Sequence, residues 1–145
     1  MPATSAADQA PFSYVILRAV PSVERGERIN VGVVVFCRQR RFLGIRWKID
    51  PGRLAAFVTG VDGIAVDEVG AELEGHLRAL SRVADGDPGA GPLAALDQSD
   101  RFGWLAAPSS TIVQPSEVHT GLCEHPAATL EALFGRLVAT APPSA

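Results

Sequence analysis

Two nearly continuous apolar runs near the start of the chain constrain its fold more than any other feature. Phe12 to Val20 and Val31 to Arg38 are rich in β-branched and aromatic residues, as expected for central strands of a sheet. Pro21 ends the first run, and Gly32 in the second indicates a β-bulge or a close approach of another backbone. The two runs therefore predict neighbouring strands that start the domain.

A third strand is indicated by the alternation of apolar and polar residues from Arg41 to Ile49. The odd positions from Leu43 onward are apolar, whereas Arg46 and Lys48 lie on the other side, so we expect one face of this strand to be wet. The segment 38–41 has a length that suits a hairpin loop of three to five residues.

Helices are predicted in the later part of the chain. Asp50-Pro51 is a typical helix start and opens a short helix through Val58; a longer apolar stripe at helical spacing runs from Val66 to Val83. Ser99-Asp100 can cap another short helix, and His125-Pro126 opens a final one. Two short strands are predicted between these last helices, at 111–114 and 118–122.

This order of elements predicts an α+β fold. Because the strands are grouped before the helices, we expect a mainly antiparallel sheet of three to five strands with helices packed on one face. A length of 145 residues favours one domain, which we place at 11–140, with disordered tails at 1–10 and 141–145.

Composition narrows the class of protein. The longest strongly apolar run, Ile29 to Cys37, is too short to cross a bilayer, and no signal-like segment is recognisable, so we expect a soluble cytoplasmic protein without membrane contact. Cys37 and Cys123 lie far apart, so reduced thiols are expected. Arginine supplies all the basic residues except Lys48, which with abundant Ala and Gly suggests a GC-rich bacterial genome.

Charge is unevenly distributed along the chain. Residues 18–53 contain nine basic and three acidic residues, whereas residues 62–100 contain nine acidic and two basic residues. Either the two segments pack together and neutralise each other, or the first presents a basic face to an anionic partner.

A dense polar segment before the second strand is the main candidate site. Arg25 and Arg28 could bind a phosphate or carboxylate. Glu24 or Glu27 could act as a base or a metal ligand. Alternatively, Glu27 pairs with Arg18 and Asn30 satisfies loop backbone groups, which would make the segment a structural network. The candidate binding residues are Arg18, Glu24, Arg25, Glu27, Arg28 and Asn30.

A second candidate is a basic patch on the predicted hairpin. It could bind nucleic acid, with Phe42 or Trp47 stacking on a base, but the alternation turns Trp47 away from Arg46 and Lys48. A sequence pI of about 5.5 also argues against nucleic-acid binding. The patch residues are Arg38, Arg40, Arg41, Arg46 and Lys48.

Metal and cofactor sites are not indicated. His119, Cys123 and His125 have ligand-type side chains within seven positions, but zinc needs a fourth ligand and usually a second close pair. No nucleophile elbow, dinucleotide-binding glycine motif or kinase signature is recognisable. We therefore expect no metal and no cofactor, and favour a protein that is not an enzyme.

The N-terminal third carries a family resemblance. It reads Tyr14-x3-Arg18-x-Val20-Pro21 and then Glu24-Arg25-Gly26-Glu27-Arg28-Ile29-Asn30-Val31-Gly32. This arrangement resembles the small bacterial proteins of domain-of-unknown-function family 3037 over Phe12 to Asp50, with a weaker similarity at 118–134. The resemblance implies no defined activity, but relatives are often encoded beside a kinase-like protein, which points to a protein partner.

Three functional hypotheses follow. The leading one is a non-catalytic accessory protein that presents its sheet edge or basic hairpin to a larger, kinase-like protein. The second is a small-ligand-binding protein or enzyme with a polar pocket at Arg18 and Glu24 to Asn30. The third is a nucleic-acid-binding module that uses the hairpin. The sequence allows a homo-oligomer.

Overall fold

The two apolar runs form the centre of an antiparallel sheet. The computed structural model describes residues 8–21, 27–58, 65–109 and 111–139. The strands are β1 (Ala10–Ala19), β2 (Ile29–Cys37), β3 (Phe42–Trp47), β4 (Val113–Pro115) and β5 (His119–Cys123). β2 lies between β3 and β1, and the other edge of β1 pairs with both β4 and β5. Every pairing is antiparallel, which confirms the predicted sheet.

A β-bulge interrupts the pairing of β1 with β2. Leu17 lies opposite Gly32, but the next residue, Arg18, lies opposite Asn30, so Val31 is the extra residue of β2. A Cβ atom on Gly32 would lie only 3.1 Å from the carbonyl oxygen of Arg46 on β3. The bulge predicted from this glycine is confirmed, and its consequence is that Arg18 and Asn30 become cross-strand neighbours.

Three helices cover one face of the sheet. They are α1 (Pro51–Val58), α2 (Val66–Asp85) and α3 (Gln98–Ala106), with two short 3-10 turns, Pro88–Ala95, between α2 and α3. Leu73 and Leu77 of α2 are fully buried in one cluster with Val15 and Leu17 of β1. The indole N–H of Trp47 donates to the hydroxyl of Ser81 at 2.9 Å, which fixes α2 against β3.

The fourth helix, α4 (Pro126–Leu137), lies on the opposite face of the sheet. Leu130 and Phe134 pack with Val33 and Val35 of β2 in a second core cluster. We predicted that all helices pack on one face of the sheet and that the Arg46 side of β3 is wet. Arg46 and Lys48 are exposed, as predicted, but α4 packs on that face. The guanidinium of Arg46 lies 4.8 Å from the ring centroid of Phe134 and pairs with a glutamate of α4.

Side-chain caps mark where α1 and α3 begin. The carboxylate of Asp50 accepts hydrogen bonds from the N–H groups of Gly52 at 2.9 Å and Arg53 at 3.2 Å, as the Asp-Pro pair predicts. α3 is capped differently from the prediction: Asp97 accepts from the N–H of Asp100, so the helix begins earlier than Ser99-Asp100 indicates. The final helix begins at Pro126, as predicted.

The α+β class is thus confirmed, with the sheet covered on both faces. Ala10, which we assigned to the N-terminal tail, is the first residue of β1 and is fully buried opposite Cys123. The other predicted tail residues, apart from 8 and 9, lie outside the described residues. In the described part of the chain, no helix is long and apolar enough to cross a membrane.

Candidate functional site

The predicted binding residues divide between two neighbouring places at one end of the sheet. Glu24 and Arg25 lie outside the described residues, and Glu27 and Arg28 are exposed just before β2. Arg18 and Asn30 face each other across β1 and β2. The structure therefore brings the described members of the set to one end of the sheet, beside the last turn of α4.

Asn30 has a structural role at this end. Its side-chain amide donates to the carbonyl oxygen of Leu137 at 3.1 Å, and the guanidinium of Arg53 on α1 donates to that of Val138 at 3.1 Å. These carbonyl groups belong to the last turn of α4, where no helical partner is available. Asn30 and Arg53 therefore attach the end of α4 to β2 and to α1.

A groove follows these contacts, and we call it the α1 groove. It combines a cavity of about 210 Å³ with a more open one of about 530 Å³, and the two share Ile29, Asn30 and Arg53. The remaining lining residues are Arg28, Val31, Lys48, Ile49, Asp50, Leu54, Ala56, Phe57, Val138 and Ala139. Lys48 and Arg53 were not part of the predicted pocket, because only the fold brings β3 and α1 beside Arg28.

Arg18 lies in a separate polar cluster, on the same face of the sheet as Tyr14 and α4. Its acidic neighbour is Glu117, in the connection between β4 and β5. Glu117 also lies 3.5 Å from Nε2 of His119, whose ring stacks on Tyr14 with 5.1 Å between centroids. A hydrogen bond from its own backbone N–H lowers the pKa of Glu117, against desolvation, and His119, Arg18 and Arg28 lower it further.

The predicted basic patch is spread over the two ends and the middle of β3. At the hairpin, Arg38 donates to the hydroxyl of Ser99 and Arg40 donates to the carbonyl of Asp8, while the carbonyl of Arg41 accepts from Gln98. Arg46 is bound to α4, and Lys48 lines the α1 groove beyond the opposite end of the strand. Over seven residues of extended chain, Arg41 and Lys48 are roughly 20 Å apart, too far for one compact site.

Comparison with known proteins assigns the family. The family described as "Protein of unknown function (DUF3037)" matches residues 14–138, which include all five strands except the first residues of β1 and all four helices. The chain belongs to this family. No curated protein and no solved structure matched it.

In this DUF3037 chain, the described residues of the basic segment 18–53 form no ion pairs with those of the acidic segment 62–100. The two segments pack together, since α2 covers β3, but no salt bridge between described residues joins 18–53 to 62–100. Arg46 pairs with Glu131 of α4, and Arg78 pairs with Glu74 within α2. The partners of Arg46, Arg18 and Arg28 therefore lie outside residues 62–100: Arg46 pairs with α4, and Arg18 and Arg28 lie near Glu117.

The histidine and cysteine residues near β5 are not gathered into a cluster of metal-ligating side chains. No group of three or more metal-ligating side chains occurs among residues 8–21, 27–58, 65–109 and 111–139. Cys37 and Cys123 are both buried and unbridged. Burial raises the pKa of the Cys123 thiol, and the neighbouring Cys37 adds to this effect. The Cys123 thiol is therefore protonated at neutral pH and is a poor nucleophile.

Among the described residues, β5 carries the most exposed large apolar side chain. β5 pairs with β1 on one side and has no described strand on the other. Leu122 is 65% exposed and Val118, just before the strand, is 49% exposed. Leu122 lies opposite Pro11, which is also exposed.

A separate cavity of about 350 Å³ lies beside β4 and is lined partly by Trp104 and Pro108. None of the predicted site residues lines it.

Proposed function

We propose that this DUF3037 chain is a non-catalytic accessory protein that binds a larger protein through the outer edge of β5. The observation that carries the proposal is the combination of an open strand edge with the exposed side chains of Val118 and Leu122. An extended segment of a partner can add to such an edge: the backbone groups supply hydrogen bonds, and the apolar side chains supply buried area.

β5 suits this role better than the other edge strands. Proteins commonly protect exposed edges with proline, with charged residues or by shortening the strand. β4 is three residues long and ends in Pro115, and β3 carries Arg46 and is followed by Lys48. The five residues of β5, HTGLC, include no proline, lysine, arginine or carboxylate.

The family resemblance favours a kinase-like protein as the partner, because relatives are often encoded beside one. The proposal requires no chemistry from the DUF3037 chain itself. It is compatible with the burial of both thiols and with Glu117, whose carboxylate stays ionised at neutral pH. In this proposal the partner contacts mainly the outer edge of β5, and the hairpin arginines are not the main contact.

Copurification followed by reconstitution tests the proposal. The tagged chain is purified from the organism that encodes it, the partner is identified, and the two purified proteins are titrated against each other. We expect a stoichiometric complex that Leu122→Asp weakens by at least about tenfold, because a charge replaces a buried apolar contact at the interface. Leu96→Asp is the matched control, since Leu96 is also exposed but lies beside α3.

Two results would contradict the proposal. One is recovery of the chain as a lone monomer under conditions in which its genomic neighbours are expressed. The other is a complex whose affinity is the same for the wild type and for Leu122→Asp. In the second case the partner would bind elsewhere, and the hairpin arginines would be the next surface to test.

A further inference from the structure

The α1 groove gathers cations from three separate elements. Arg28 precedes β2, Lys48 follows β3, and Arg53 lies in the first turn of α1. Neither Arg28 nor Lys48 forms a salt bridge with any described residue, although Arg28 lies near enough to Glu117 to interact with its charge. Lys48 and Arg53 line the deeper part of the groove, and Arg28 and Arg53 line its open part. Cations along both parts of the groove create a positive potential that attracts an anion.

The single carboxylate in the lining does not neutralise this charge at close range. One oxygen of Asp50 accepts hydrogen bonds from the backbone N–H groups of Gly52 and Arg53, so the carboxylate is engaged with the start of α1. The guanidinium of Arg53 is anchored by its bond to the carbonyl of Val138, which uses one of its five N–H donors. Arg53 is therefore held in place at the centre of the groove.

Apolar side chains complete the lining. Ile29 and Phe57 border the open part of the groove, and Ile49 and Leu54 border the deeper part. Small-molecule sites usually combine such apolar walls with a few polar groups in a concavity of several hundred cubic ångströms. This shape fits a compact molecule with a charged group and an apolar body better than it fits a stretch of nucleic-acid backbone.

We propose that the α1 groove binds a small phosphate monoester, with the phosphate held by Arg28, Lys48 and Arg53 and the organic part against Phe57 and Ile49. A phosphate dianion can accept hydrogen bonds from several cations at once, whereas one arginine already satisfies a carboxylate in a bidentate pair. The site is separate from the β5 edge, so the two proposals can be tested separately.

Phenyl phosphate is a suitable probe because it has one phosphate and one aromatic ring. It is titrated into the ¹⁵N-labelled full chain, with inorganic phosphate and phenol as the separate halves of the probe. We expect saturable shifts of the amide signals of Asn30, Ile49 and Ala139 with phenyl phosphate, weaker binding of inorganic phosphate, and no groove-specific shifts with phenol.

Charge-removing variants decide whether the groove itself is responsible. Lys48→Gln and Arg28→Gln are each expected to weaken phenyl phosphate about tenfold, the loss of one charge-assisted hydrogen bond. Both residues are exposed, so the fold should persist, and unchanged signals outside the groove check this. Arg41→Gln removes the same charge at the hairpin and should leave the affinity unchanged.

Three outcomes would overturn the proposal. They are the absence of saturable shifts in the groove, equal affinity of the wild type and both groove variants, and stronger binding of a single-stranded oligonucleotide than of phenyl phosphate at the same residues. The last outcome would assign the groove to nucleic acid. None of them bears on whether a protein binds β5.

Discussion

Ser116 and Ile16 exchange two hydrogen bonds at the junction between β4 and β5. The N–H of Ile16 donates to the hydroxyl of Ser116 at 2.8 Å, and the N–H of Ser116 donates to the carbonyl of Ile16 at 2.8 Å. Among the described residues, Ser116 is the only buried polar residue. It continues the ladder of β1 across the gap between the two short strands, and in this way it positions β5.

Replacement of Ser116 by alanine should therefore destabilise the fold. The substitution leaves the buried N–H of Ile16 without its acceptor, which costs about 1–3 kcal/mol of the free energy of unfolding. Urea denaturation measures the change. Ser99→Ala, which removes an exposed contact with Arg38, is the control and should change stability by less than about 0.5 kcal/mol. Equal losses in the two variants would show that the Ser116 hydroxyl does not complete the ladder.

Asn30→Ala tests whether Asn30 holds the end of α4. We expect the free energy of unfolding to fall by about 1 kcal/mol, the usual contribution of one hydrogen bond. The amides of Val138 and Ala139, which donate to the carbonyl of Phe134, should exchange faster with solvent. Hydrogen exchange followed by NMR measures this, with Gln39→Ala in the exposed hairpin as control. Unchanged exchange in the last turn of α4 would contradict the capping role.

The charge of Glu117 gives a prediction in the acidic range. Because its pKa is lowered from the ordinary value of 4.5, its stabilising contribution is present above that value and is lost as pH falls through the lowered pKa. An NMR titration of the side-chain carboxyl carbon should give a midpoint below 4.5. Arg18→Gln should raise this midpoint, whereas Arg41→Gln should not. A midpoint that Arg18→Gln leaves unchanged would show that the two charges do not interact.

The buried thiols give a prediction in the alkaline range. The pKa of Cys123 is raised above its ordinary value of about 9.0, so the folded state binds a proton more tightly than the unfolded state does. The free energy of unfolding should therefore decline as pH rises above about 9. Cys123→Ala should reduce the decline. In the native protein at pH 8, iodoacetamide should label both cysteines far more slowly than in urea. Equal labelling rates would contradict the burial of the thiols.

Elements fixed by local pattern were predictable from the sequence. The strands from Phe12 and Val31 and the long helix α2 follow from periodicity within a few residues, and the start of α4 follows from Pro126 in its first turn. Gly32 indicated either a bulge or a close backbone approach, and both occur there. The side of the sheet that α4 covers was not predictable, because Arg46 is polar by type, yet its guanidinium stacks over Phe134.

The candidate sites depended on contacts between distant residues, which no local pattern encodes. Arg18 and Glu117 are about a hundred positions apart, and Arg53 joins Arg28 only because α1 packs beside the start of β2. The sequence indicated a polar network around Asn30, and its bond to Leu137 is of that kind. It did not indicate the exposed edge of β5, because Leu122 looks like an ordinary core residue in an alternating strand.

Amide hydrogen exchange of β5 in the free chain and in its reconstituted complex tests the proposed function most directly. The amides of residues 119–123 that do not donate to β1 should exchange rapidly in the free chain and become protected when the partner binds. Leu122→Asp should prevent this protection at the same partner concentration. Unchanged exchange in β5, with new protection at the hairpin 38–41 instead, would contradict the account.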